Sequence, residues 1–160
     1  FEWTTEGGVQ ASLRKPAAAG GRVQMPTGSF TLDELIGTFS ALPFDLTFVD
    51  KDDTVRYFTP GTERIFSRTR AILGRKVQYC HPPKSVRIVN QIVKDFKAGT
   101  QDRARFWINM GGRLIYICYY AVRDAQGGYM GTLEVTQDLS EVRSLEGERR
   151  LLTYDEAPEG

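Results

Sequence analysis

The sequence is short of the residues that build most reaction centres. Its 160 residues include two cysteines, Cys80 and Cys118, and one histidine, His81. Two thiols do not make a disulfide framework and nothing indicates secretion, so a reducing cytoplasm is the expected compartment. A structural zinc needs about four ligands. The two cysteines lie far apart without CxxC spacing, so no metal is expected. There is no GxGxxG and no GxxxxGK[ST] to cradle a phosphate. No apolar run approaches the roughly 18 residues of a spanning helix. Charge of one sign is also lacking. Twenty-one Lys and Arg against 20 Asp and Glu leave a net charge of +1, so no global field draws nucleic acid or an anionic membrane. The opening residues 1–8 lack the basic start and apolar block of a secretory signal. The chain opens on Phe1 rather than Met, and is expected to be a fragment of something longer.

What remains is the make-up of a globular chain with one core: 41% hydrophobic and 26% charged residues. Residues 1–30 differ from the rest. "KPAAAGGR" and "MPTGS" are rich in Pro, Gly and Ala without an apolar period. This segment reads as a linker or an irregular arm, with "FEWTT" available as an edge strand. A helix starts near Thr31, where Leu32, Leu35, Ile36 and Phe39 share one face and Glu34 completes a capping box. Pro43 ends it.

"FDLTFVD" and "TVRYF" flank the turn residues "KDD" and read as a hairpin. Short helices fill residues 60–80. "KSVRIVNQIVKDFKAG" is a longer helix with Val86, Val89, Ile92, Val93 and Phe96 on one stripe and Gly99 as its cap. "RARFWINM", "RLIYICYYAV" and "YMGTLEVTQ" are strands separated by the loops "GG" and "DAQGG". A polar helix is expected from Ser140 to Leu152. The expected fold is α+β: a five-stranded antiparallel sheet, with the helices between strands two and three packed on one face.

"VQYCHPPKSV" gathers the lone histidine and one cysteine. Pro is favoured at the first helical positions, because its missing N–H would be unpaired there anyway. His81 therefore stands at a helix entrance, where the helix dipole disfavours imidazolium and favours a thiolate at Cys80. One reading is a haem ligand or a redox-sensitive thiol. The other is that His81 bonds a backbone group and holds the helix entry. Cys80 and His81 are adjacent, so their side chains point apart and make no nucleophile–base dyad by themselves. No enzyme activity is expected. Asp138 and Glu141 make a D-x-x-E start for the terminal helix. In that helix Leu145 and Leu152 are a heptad apart, but Arg149 and Gly147 interrupt the pattern, so at most a modest dimer contact is expected. The charges of "EGERR" read as solvated helix face.

Residues 31–146 resemble a PAS domain. "FVDKDDTVRYF" is similar to that family's opening hairpin, and "ILGRKV" to the segment before its long helix. "HPPKS" stands where an "HPxD" segment begins that helix. "GGYMGTLEVTQDLSEVR" is similar to the last strand and its exit, with Asp138-Leu139-Ser140 where many members carry Asp-Ile-Thr. With "LPFDLTFVDKDD", "CHPPKS", "FWI", "EVTQDLS" and "LEGERRLL", the likeness extends to PAS domains that follow a hemerythrin-like domain in prokaryotic proteins. One histidine cannot supply such an iron domain, which would lie upstream.

The resemblance implies a sensory or regulatory module that binds a small ligand or protein partner and relays a signal through the junction at Asp138 and Glu141. Family ligands sit between the sheet and the inserted helices. Tyr79, His81, Trp107, Tyr116, Cys118 and Tyr120 are then the candidate pocket wall, and Cys80 the redox candidate. The alternative is a filled core, since large aromatics on strands pack. Strand parity decides: if 116, 118 and 120 face inward, 115, 117 and 119 face out. Both faces are apolar, so the outward one is a candidate homodimer surface. Haem-binding members carry their ligand inside the long helix, which here has no histidine. Residues 147–160 read as the end of the terminal helix and a tail.

Overall fold

The computed structural model describes residues 21–61 and 64–155. The chain divides into two compact units, 1–43 and 44–160.

In the first unit, β1 (Arg22–Met25) and β2 (Gly28–Thr31) pair antiparallel, with Arg22 opposite Thr31 and Met25 opposite Gly28. This hairpin replaces the irregular arm expected there. Its strands are four residues long, too short for an alternating pattern to show among Pro26, Gly28 and the Ala/Gly run. The edge strand expected in "FEWTT" lies outside the described residues. Helix α1 (Leu32–Ala41) follows directly. Its capping box is formed: Glu34 N–H donates to Thr31 Oγ1 at 3.1 Å, and Thr31 N–H donates to the Glu34 carboxylate at 2.8 Å. Arg22 joins the same carboxylate at 2.9 Å, which pins the helix start to the hairpin.

The second unit is a five-stranded antiparallel sheet in the order β4-β3-β7-β6-β5. The strands are β3 (Asp45–Asp50), β4 (Val55–Phe58), β5 (Arg103–Met110), β6 (Arg113–Arg123) and β7 (Tyr129–Asp138). The last strand in sequence is therefore the central one. Its register against β3 depends on Gly131. A Cβ there would stand 2.2 Å from the Val49 carbonyl oxygen and 2.7 Å from the Phe48 ring. The β3–β4 turn is tied by the Asp50 carboxylate, which accepts from the N–H groups of Asp52 and Thr54 at 2.9 and 3.0 Å.

Between β4 and β5 run two short 3₁₀ turns, Arg70–Ile72 and Val77–Cys80, then helix α2 (Pro83–Ala98). Pro83 opens α2, and Gly99 closes it in the left-handed region at φ 74°. Val89, Val93 and Phe96 form its buried stripe, as their three- and four-residue spacing predicts. Val89 and Val93 join Val49, Val55 and Val77 in one cluster on a single face of the sheet. The expected fold class is the one observed.

The terminal helix differs from expectation. Helix α3 spans only Ser140–Ser144. Gly147 takes φ 66°, and Val142, Leu145, Leu151 and Leu152 are all exposed. A polar segment with no buried stripe has no tertiary packing to offset helix nucleation, so it stops after one turn. No helix among the described residues is long and apolar enough to cross a membrane.

Candidate functional site

A partly open void lies between α2 and the face of the sheet beneath it. Thr47 and Val49 of β3, Thr132 and Glu134 of β7 and Tyr119 of β6 form its floor. Val89, Ile92 and Val93 of α2 form its roof, and Ile72, Val77, Cys80 and His81 close one side. The walls are thus mainly branched aliphatics. The void measures about 30 Å³, room for about two waters or one molecule of a few heavy atoms.

One row of this floor is polar. Glu134 pairs across the sheet with Thr47 on one side and Tyr119 on the other. It is 7% exposed. Arg68, from the segment before the 3₁₀ turns, donates from Nη2 to Glu134 Oε1 at 3.2 Å. Both side chains are largely buried. A buried ion pair is weak evidence of net stability, but removing one partner costs about 3–5 kcal/mol because the other charge stays buried. Burial, reinforced by the Glu134 charge and a hydrogen bond to it, pushes the Tyr119 hydroxyl far above its ordinary pKa. The hydroxyl is therefore a donor across the whole neutral range. The Phe106 ring stands edge-on to Tyr119, 6.0 Å between centroids.

His81 lines the void, and its Nδ1 lies 2.9 Å from the Val77 carbonyl oxygen. A carbonyl only accepts, so Nδ1 carries the proton. The histidine thus ties the helix entry to the preceding 3₁₀ turn, the backbone-bonding role weighed above. The Cys80 thiol donates to the Lys76 carbonyl at 3.6 Å. Haem does not fit a void of this size. No group of three or more metal-ligating side chains occurs among the described residues.

A family model for the PAS domain matches residues 37–140, well over half of the chain. The chain belongs to the PAS domain family. A C-terminal domain from Streptococcus mutans is 31% identical; the match covers 79% of this chain and 98% of that one, with a TM-score of 0.74. The PAS domain of a Colwellia psychrerythraea protein is 14% identical over 69% of this chain and 98% of that one, TM-score 0.51. That of Bordetella pertussis BvgS is 16% identical over 67% and 85%, TM-score 0.51. These two share the fold. No curated protein matches the chain.

In this PAS domain the sequence-predicted wall is split by strand parity. Tyr119 and Glu134 point to the void, so Tyr116, Cys118 and Tyr120 point to the opposite face of the sheet. Trp107 pairs with Tyr116 on that same face and is 65% exposed. Tyr79 is 77% exposed, because the 3₁₀ turn directs Val77 and Cys80 inward instead. Of the candidates only His81 and Cys80 reach the void. The correction follows from a shift of one residue on β6, which exchanges the whole set of side chains between faces.

The residues missed were Arg68, Tyr119 and Glu134. A signal for Glu134 existed: Thr132, Glu134 and Thr136 make a polar stripe at strand period, alternating with Leu133 and Val135.

The strand exit is also tied differently from expectation. Asp138 does not cap α3 through Glu141. Its carboxylate accepts from Ser140 N–H at 3.0 Å and Ser140 Oγ at 2.6 Å. Ser140 Oγ in turn accepts from Leu114 N–H at 2.9 Å. Arg113 stands 3.5 Å from Asp138. The Ser140 hydrogen bonds, with this charge, hold the Asp138 pKa below the ordinary carboxylate range. Glu141 sits in the first turn of α3, where its own carbonyl accepts from Ser144.

Proposed function

We propose that this PAS domain is a sensory or regulatory module whose signal is occupancy of the cavity beneath α2. One observation carries the reading: the cavity abuts a buried Arg68–Glu134 pair on the central strand, and that strand leads directly into the Asp138–Ser140 junction. A ligand that alters the Glu134 row acts on β7 itself, and β7 ends at the junction four residues on. The module is not an enzyme in this reading, since the Cys80 thiol and the His81 ring are each committed to a backbone carbonyl rather than to one another. Both thiols are free, which suits a reducing cytoplasm. The likeness of "CHPPKS" and "LEGERRLL" to hemerythrin-associated members supports an upstream domain of that kind in the parent protein.

A second reading has its own support. Trp107 and Tyr120 expose aromatic surface on the outer sheet face, and Leu145, Leu151 and Leu152 extend apolar surface past β7. A ligand-free homodimerisation module would use these surfaces.

Xenon separates the two readings, because a largely aliphatic cavity takes it up and a filled core does not. Under xenon pressure the methyl signals of Val49, Val89, Ile92 and Val93 are expected to shift and saturate. Unshifted methyls in a protein of dimeric mass would favour the interaction module.

A further inference from the structure

Arg68 leaves a donor unmet beside the cavity. Its Nη2 is bonded to Glu134, but its Nε–H is buried and has no hydrogen-bond partner. A buried N–H without an acceptor is unfavourable, so an acceptor is expected next to it. Arg68 lines the void, which supplies the space for one.

The surroundings constrain the charge of that acceptor. Glu134 already balances Arg68, and the neighbouring Arg64 is offset by Asp45. A carboxylate would bring an extra negative charge, and an ammonium an extra positive one. Either would be buried among the methyl groups of Val49, Val89 and Val93 without a counter-ion. An uncharged oxygen adds only the missing hydrogen bond. The aliphatic roof and the size of the void favour a short alkyl body.

We infer that the cavity recognises an uncharged molecule of a few heavy atoms, with a small alkyl body and one carbonyl or hydroxyl oxygen that accepts from Arg68 Nε. The inference rests on the cavity being a ligand site. It makes Arg68 the residue that selects by charge, with Glu134 holding its guanidinium in place.

The test uses three probes of similar shape and different charge: acetone, acetate and isopropylammonium. Each is titrated into the protein while the Val89 and Val93 methyl signals are followed by NMR, with xenon in parallel. Acetone is expected to bind and the two ions to leave the methyls unshifted. Arg68→Lys keeps the charge facing Glu134 but removes the Nε donor. It is expected to weaken acetone roughly tenfold while xenon still enters. If xenon enters but an ion binds as well as acetone, or if Arg68→Lys binds acetone like the parent, the ligand class is overturned and the cavity reading stands. If neither xenon nor acetone enters, both are overturned.

Discussion

Glu134 and Tyr119 face one another across β6 and β7, and their chemistry is coupled. The folded state keeps the Tyr119 hydroxyl protonated through burial and the adjacent carboxylate charge, whereas in the unfolded chain it ionises near its ordinary value of about 10. The folded pKa is thus raised above the unfolded one. The stability this contributes is fully present below about pH 10 and is lost as pH rises further. While the folded hydroxyl stays protonated, the loss is roughly 1.4 kcal/mol per pH unit. Urea unfolding of the parent and Tyr119→Phe between about pH 9 and 11.5 measures it. The parent is expected to lose stability more steeply by that amount per unit. Equal slopes would mean that Tyr119 ionises as freely in the fold as outside it. Residues such as these were hardest to read from sequence. A tyrosine among "RLIYICYYAV" carries no mark of which face it takes, and Arg68 meets Glu134 only because 66 positions of chain fold back between them.

At the level of elements, much was legible wherever a local pattern decided the outcome. The capping box at Thr31, the stripe of α2 with its Gly99 stop, and the loops at Gly111–Gly112 and Asp124–Gly128 all rest on interactions within a few residues. The short α3 and the β1–β2 hairpin were not legible, for opposite reasons. Ser140–Leu152 has helix-forming residues but nothing to pack against, whereas residues 22–31 lack strand-like composition yet gain a partner strand. Gly131 shows a third case. Nothing in "GGYMGTLEV" distinguishes it from the loop glycines before it, yet it is the point where β7 passes against the Val49 carbonyl and the Phe48 ring. Backbone cannot give way as a flexible side chain would, so Gly131→Ala is expected to cost at least the 1–3 kcal/mol of an overpacked core position, on the order of the larger value. Chemical denaturation measures it, and amide exchange along Leu46–Asp50 should rise with it. A change within about 0.5 kcal/mol would show that β3 and β7 are not held at this register.

For the molecule as a whole, the sheet order matters more than any single contact. Because β7 is central, the polar row of the cavity and the exit to the following chain belong to the same strand. The opposite face of that sheet carries Trp107, Tyr116, Cys118 and Tyr120, so one sheet offers a cavity on one side and an aromatic surface on the other. Sensing through the cavity side requires that the cavity communicate with the junction. Amide and methyl NMR spectra recorded at increasing xenon pressure test that link most directly. The amides of Ser140, Glu141 and Val142 are expected to shift along the same saturation curve as the Val89 and Val93 methyls. Methyls that saturate while those three amides stay in place would contradict it.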